Sequence, residues 1–177
     1  MAFSDHFGKS IIKRIEDSMG ANIEICTMDQ FPSAMFFCRM KDEKVLELVL
    51  SDRFGQLQIT NIGELEGLSE LKNLSFLDLS FNKITEISGL DGLVNLKTLN
   101  LRYNKITEIK GLDNLKSLDI LDLFGNDIKI SQSTQKYLEK LPNLRLLILK
   151  DPIENLDLIK GRRDGYNDLV EIYLGGD

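Results

Sequence analysis

Asp78 and Asp122 are the residues whose type and spacing come nearest to chemistry. They stand two 22-residue periods apart with Asn100 midway between them, so strands about 4.8 Å apart would hold the two carboxylates about 10 Å from each other. Carboxylates at that separation suit an inverting glycosidase, where one protonates the leaving group and the other activates water. The acid of such a pair needs an apolar pocket to raise its pKa, and an open strand face supplies none. The pair also falls short of a metal site, because hard cations take more oxygen ligands than two carboxylates provide. His6 is the only histidine and has no partner fixed by the sequence, so acid–base catalysis lacks its usual player. Cys26 and Cys38 are the only cysteines, too few for a disulfide framework or a zinc constellation. They read either as two reduced, semi-buried thiols or as one local disulfide. Arg162 and Arg163 read as a solvated turn beside Gly161, and the segments GLDGL and GLDNL lack phosphate-loop spacing. The expectation is a protein without catalysis, metal or cofactor.

The composition narrows the partner. At 177 residues with 42% hydrophobic side chains, the chain can bury the core of one domain and is too short to need two. A net charge of −6 argues against nucleic acid, whose binding needs clustered Lys and Arg, and favours a partner with a basic surface. No apolar run approaches the roughly 20 residues of a membrane span. The first residues, MAFSDHFGKS, lack the apolar centre of a secretory signal, so a cytoplasmic location is expected.

The residues that could act must be positioned by a repeat. Leu74, Leu77, Leu79, Asn82, Ile84, Ile87, Leu90 and Leu93 recur 22 positions later as Leu96, Leu99, Leu101, Asn104, Ile106, Ile109, Leu112 and Leu115. A third copy runs through Leu118, Leu121, Leu123, Asn126 and Ile128, then breaks at Ser131 and Thr134. The series begins earlier, with Ile62, Leu65, Leu68 and Leu71. Each Leu-x-x-Leu-x-Leu stretch predicts a short strand with leucines pointing inward and intervening residues outward. One coil cannot bury its own apolar face, so stacked coils share a leucine core. The recurring Asn sits where the chain leaves the strand and can satisfy backbone groups there; Gly67, Gly89 and Gly111 suit a tight bend in the return arc.

Weaker copies extend the array. Val45, Leu48 and Leu50 repeat the strand pattern before a longer arc through Phe54, Gly55 and Leu57. Leu144, Leu147 and Leu149 repeat it after SQSTQKYLEKLP, which predicts a helix with Tyr137, Leu138 and Leu141 on one side. Leu169, Ile172 and Leu174 predict a terminal strand, for about six parallel strands in all.

Residues 74–130 resemble the 22-residue leucine-rich repeats of the class typified by the regulatory subunit of nuclear protein phosphatase 1, also seen in bacterial internalins, and the resemblance extends with falling fidelity over 45–150. It implies an α/β solenoid, a right-handed coil with a curved parallel sheet. Open ends need caps. Residues 1–44 are expected to form the N-terminal one: an amphipathic helix through Phe7, Ile11, Ile15 and Met19, with Ser4 as N-cap and Gly20 as stop, then a hairpin of ANIEIC and AMFFCRM. Residues 151–177, with Ile153, Leu156 and Ile159 on a short helix-like run, are expected to close the other end.

If leucines fill the core, the residues between them carry function. The outward columns contain Phe76, Asp78, Ser80 and Phe81, then Thr98, Asn100, Arg102 and Tyr103, then Ile120, Asp122 and Phe124, and finally Leu146, Ile148, Lys150 and Tyr173. Nothing in the core requires these aromatic and aliphatic side chains, and adjacent apolar residues on an exposed face mark an interaction site. Aromatics around an Arg are hot-spot composition. A strand face favours such residues in any case, which is the competing structural explanation. The sequence thus predicts a monomeric protein-binding module, an adaptor, inhibitor or regulatory subunit, with a receptor for a small ligand or glycan on the same face as the alternative.

Overall fold

The computed structural model describes residues 7–150 and, for the backbone, 171–175. The helix α1 spans Phe7–Met19. The strands are β1 (Glu24–Thr27), β2 (Phe37–Lys41), β3 (Lys44–Val49), β4 (Phe76–Asp78), β5 (Thr98–Asn100), β6 (Ile120–Asp122), β7 (Leu146–Lys150) and β8 (Glu171–Gly175), with a second helix, α2 (Gln132–Leu138), before β7. They form one eight-stranded sheet in chain order. From β3 to β8 every neighbour is parallel, which gives the six parallel strands expected of the solenoid.

The repeat strands are three residues long, two outward around one inward leucine, because each coil must then turn off the sheet. Leu77, Leu99 and Leu121 stand in register, and they are wholly buried, as are Leu74, Leu79, Leu96, Leu101, Leu118 and Leu123. What the sheet cannot satisfy beyond the strands, asparagine does. Asn104 Oδ1 accepts from Ile84 N at 3.0 Å, and its Nδ2 donates to Leu79 O and to Leu101 O, each at 3.0 Å. Asn82 and Asn126 repeat the pattern one coil to either side. In the return arcs Gly67, Gly89 and Gly111 adopt φ of 92°, 71° and 75°. A Cβ at Gly111 would lie 2.0 Å from Ile87 O, so the bend and the close stacking of coils both exclude a side chain there.

The N-terminal cap departs from expectation in its pairing. β1 runs parallel to β2, and the hairpin is instead β2 with β3, closed by Asp42 and Glu43, both with positive φ as a two-residue turn needs. The polar turn Lys41 to Lys44 therefore joins the cap to the first repeat strand as expected. Helix α1 buries Gly8, Ile11, Ile12 and Ile15, whereas Phe7, expected inside, is 63% exposed. Gly8 explains the exchange: a Cβ there would meet Glu43 O at 2.7 Å, so the helix closes onto the β2–β3 turn through the glycine. Gly20 ends the helix in the left-handed region, its N–H donating to Glu16 O. Arg14 pairs with Glu70 and Ser18 Oγ accepts from Glu66 N, tying the cap to the first return arc.

At the other end, Tyr137 fastens α2 to the preceding coil by accepting from Leu112 N at 2.6 Å and donating to Asp113. Leu138 and Leu141 are buried beneath it. The expected N-cap Ser4, His6, the C-terminal run through Ile153, Leu156 and Ile159, the Arg162–Arg163 turn and Leu169 lie outside the described residues.

Both cysteines are free and buried. Burial pushes the Cys38 thiol up to about 12 and raises Cys26 as well, so the fold favours the neutral thiols. Two expectations follow for this architecture. Leu99→Ala should cost about 2–5 kcal/mol by leaving a cavity between two full coils, and Asn104→Ala should cost about 1–3 kcal/mol for each buried backbone group it orphans; thermal and denaturant melts measure both. Cys26 and Cys38 should resist alkylation in native protein and label fully once unfolded, with melting unchanged by reductant, since a disulfide would contribute about 2–4 kcal/mol.

Candidate functional site

Strand register arranges the outward side chains in columns across the sheet. The first runs Glu47, Phe76, Thr98, Ile120, Leu146; the second runs Val49, Asp78, Asn100, Asp122, Ile148. Tyr173 continues the second column by backbone register opposite Ile148, and its side chain lies outside the described residues. A third line follows at the strand ends, through Ser80, Arg102 and Phe124. Phe76, Ile120, Phe124, Leu146 and Ile148 are all half-buried, so they keep apolar surface toward solvent; Ile120 and Leu146 are direct neighbours, and Thr98 separates Phe76 from Ile120. Ser80, read from sequence as outward, is 2% exposed and faces Ser51 Oγ at 2.9 Å.

The polar column is tied to the backbone. Asp78 Oδ1 accepts from Ser80 N, Asn100 Oδ1 from Arg102 N and Asp122 Oδ1 from Phe124 N, at 2.8, 3.1 and 2.9 Å. Asp78 Oδ2 also accepts from Asn100 Nδ2 at 3.0 Å. Each side chain at this position thus closes the end of its own strand. Burial raises the Asp122 carboxyl above its ordinary value, and Asp78 adds to that, while the Phe124 amide and Arg102 oppose it.

Phe81 and Tyr103 stand one residue past this face, at the turn before the ladder asparagines. Both have left-handed backbone, φ 59° and 52°, which for bulky residues costs on the order of 1–3 kcal/mol each. Gly125 holds the equivalent place with φ 73°. The rings stack along the rim: Phe81 on Tyr103 with centroids 4.7 Å apart, and Tyr103 edge-on to Phe124 at 5.4 Å. Arg102 lies over both Tyr103 and Phe124, 5.1 and 5.5 Å from their centroids. The structure therefore gathers Phe81, Arg102, Tyr103 and Phe124 at one edge of the sheet face, and Phe76, Ile120, Leu146 and Ile148 across its middle.

Residues 72–128 match the leucine-rich-repeat family. Among solved structures the chain is similar to internalin C2 from Listeria monocytogenes, at 31% identity and a TM-score of 0.54 over 75% of this chain and 51% of that one. It is also similar to internalin F from the same organism, at 25% identity and a TM-score of 0.50 over 71% and 40%. Its repeats are leucine-rich repeats. It spans about half the length of the first internalin and two-fifths of the second. No curated protein matches it. Leucine-rich-repeat solenoids are in general interaction scaffolds that bind on an extended curved face, and are typically non-catalytic.

Sequence reasoning missed part of this leucine-rich-repeat face. Glu47 and Val49 extend the columns onto β3, and the outward rule applied to Val45, Leu48 and Leu50 would have found them. Glu47 pairs with Arg39 at 2.7 Å, which carries the face onto β2, where the repeat pattern is silent. Arg53 lies over Phe81 at 4.8 Å; it belongs to the irregular first arc, and no spacing signalled it. An open depression of about 330 Å³ lies on the return arcs, lined by Ile62, Leu65, Gly67, Ser69 and Asp91 among others, away from the columns expected to receive a ligand. Among the described residues no group of three His, Cys, Asp or Glu side chains could hold a metal, and no helix is long and apolar enough to cross a membrane.

The raised Asp122 carboxyl has a pH consequence. The folded protein keeps that proton to a higher pH than the unfolded chain, so stability falls as pH rises from the unfolded to the folded value, and the deficit persists above it. Asp122→Asn keeps an acceptor for Phe124 N, as Asn100 does for Arg102. The variant should melt at or above the wild-type temperature at pH 7, and the difference should vanish at pH values below the ordinary aspartate range. A variant that melts well below wild type at pH 7 would show that the ionised carboxylate stabilises this face.

Proposed function

We propose that this protein is a non-catalytic interaction module, serving as an adaptor, inhibitor or regulatory subunit, that holds one protein partner across the outer face of its sheet. One observation carries the reading: Ile120, Leu146 and Ile148 form adjoining half-buried apolar positions in neighbouring columns, with half-buried Phe76 in the first column on the far side of Thr98, and the Arg102, Tyr103 and Phe124 cluster stands at the edge of the same face. Such residues do not serve the leucine core, and a polar strand face would fold as well. Apolar residues set around an aromatic–arginine centre are the composition in which a few anchors carry most of the binding energy. The carboxylates are committed to strand ends, which supports binding over catalysis.

The net charge of −6 favours approach to a partner whose surface is basic as a whole, through long-range attraction that salt screens. A monomeric protein in a reducing, cytoplasmic setting belongs to the same proposal, supported by the two free buried thiols.

The test is titration calorimetry of a partner captured from native lysate against the triple variant Phe76→Ala, Tyr103→Ala, Phe124→Ala, with circular dichroism to confirm folding. Each central anchor should contribute about 2 kcal/mol or more, and association should slow as salt rises. Glu86→Ala and Glu108→Ala, on the return arcs, should change little. Unchanged affinity in the folded triple variant would remove the sheet face as the contact.

A further inference from the structure

The arginines among the described residues of this acidic chain fall into two groups. Arg14, Arg39 and Arg145 pair with Glu70, Glu47 and Asp119. Arg53 and Arg102 form no direct salt bridge among the described residues, although Arg102 acts on Asp122 at longer range, and both lie over the aromatic line at one rim of the sheet. Arg53 lies 4.8 Å from the Phe81 centroid, and Arg102 lies 5.1 Å from Tyr103 and 5.5 Å from Phe124. The Nε of Arg102 is buried without a hydrogen-bond partner, a donor held out of water and unmet. Apolar surface accompanies the two charges: Phe54, next to Arg53, is 80% exposed and Tyr103 41%. Nearby carboxylates are occupied by the backbone. Asp52 accepts from the amides of Gln56, Leu57 and Gln58, Asp78 from Ser80 and Asn100, and Asp122, which Arg102 influences electrostatically, from Phe124 N.

We propose that this rim receives an acidic segment of the protein partner, with two carboxylates engaging Arg53 and Arg102 while apolar residues lie against Phe54, Phe81 and Tyr103. The proposal rests on the protein-binding reading above and adds the chemistry of what is bound. A guanidinium held over a ring by cation–π attraction can present its terminal N–H edge outward, and a carboxylate meets that edge with two parallel hydrogen bonds. Lysine cannot reproduce this geometry. Arg53 and Arg102 belong to coils two strand spacings apart, about 10 Å, a distance that an extended polyproline-type segment spans in about three residues. The rim therefore selects carboxylates three residues apart. Single-stranded nucleic acid could also stack on such rings, but it brings a phosphate with every nucleotide into the field of a chain carrying −6. A segment with two carboxylates places its charges only where the guanidiniums stand. Long-range attraction to a basic partner and local capture of one acidic segment are compatible, because the first acts through net charge and the second through contact.

Selection of a random dodecapeptide display library on the full-length protein tests this, with a labelled oligothymidine titrated in parallel. Peptides with Asp or Glu at a three-residue spacing should be enriched. A synthetic copy of an enriched peptide should lose tenfold or more in affinity, roughly the weight of a desolvated charge pair, against Arg53→Gln or Arg102→Gln. Arg102→Lys should fail to restore it, and a copy with Gln for both acids should not bind. Circular dichroism establishes that each variant is folded. Enriched peptides that lack the acidic pair, depend on Phe76 and Ile120 and ignore both arginine substitutions would overturn the rim while leaving the protein-binding reading in place. Enrichment insensitive to either set of residues, absence of enrichment, or tight binding of oligothymidine in place of acidic peptides would overturn the proposal.

Discussion

The structure depends on how a short coil satisfies its backbone once it leaves the sheet. A strand of three residues, such as Thr98–Asn100, ends at a corner where amides and carbonyls point into an apolar interior. Water cannot reach them and no strand lies opposite. Asn82, Asn104 and Asn126 take over, each 4–7% exposed, accepting from the coil before and donating to carbonyls of both coils. An amide suits this place because it carries acceptor and donors on one planar group. The ladder also fixes the period: a residue added between the strand leucines and the Asn would break bonds to two coils together.

That constraint reaches the surface. To bring the asparagine inward, the residue before it turns through the left-handed region, and two of the three coils that carry a ladder asparagine place an aromatic there. Phe81 and Tyr103 carry the strain of φ near 59° and 52°, where glycine would carry none. Part of that cost is offset by their mutual stacking, on the order of 0.5–1.5 kcal/mol per aromatic pair. Gly125 ends the series, and a Cβ there would fall 2.4 Å from the Tyr103 ring. The third coil thus clears the space that Tyr103 occupies, and Phe124 supplies its aromatic one position earlier, on the sheet face itself.

How much of this the sequence discloses follows from repetition. In the full coils every inward position is restated at a fixed interval, and the core leucines, ladder asparagines, bend glycines and outward columns could be read directly. The cap has one copy of each residue, so its pairing depends on contacts far apart in sequence. Alternation shows that 24–27 and 37–41 are strands and cannot show that they run parallel. Helical spacing selects Phe7 as readily as Gly8, and the close approach to Glu43 O decides between them. Asp52 is a related case. No asparagine ladder position exists in the lengthened first arc, and a carboxylate two residues after Leu50 caps three amides instead. Only coordinates reveal that substitution. For the site, the column rule located the apolar face, while the rim with Arg53 escaped it because that residue lies in the arc without a repeat.

The three outward lines are not equally free to encode a partner. In the first, Phe76, Thr98 and Ile120 differ in size and polarity although their backbones are in register, so nothing in the coil dictates them. The third line varies as widely, from Ser80 to Arg102 to Phe124. The second holds Asp78, Asn100 and Asp122, side chains of one shape that all accept the amide two residues on. In these three coils a valine or lysine would leave the strand end unsatisfied, so Asp78, Asn100 and Asp122 serve the fold first and offer a partner only their remaining oxygen or amide, whereas the apolar Val49 and Ile148 at the two ends of the column accept no such bond. Specificity must then reside in the two flanking lines, the apolar ends of the middle one and the rim. Those are the places where side chains can change without disturbing the ladder or the leucines, and where bulky apolar groups and unpaired guanidiniums have collected.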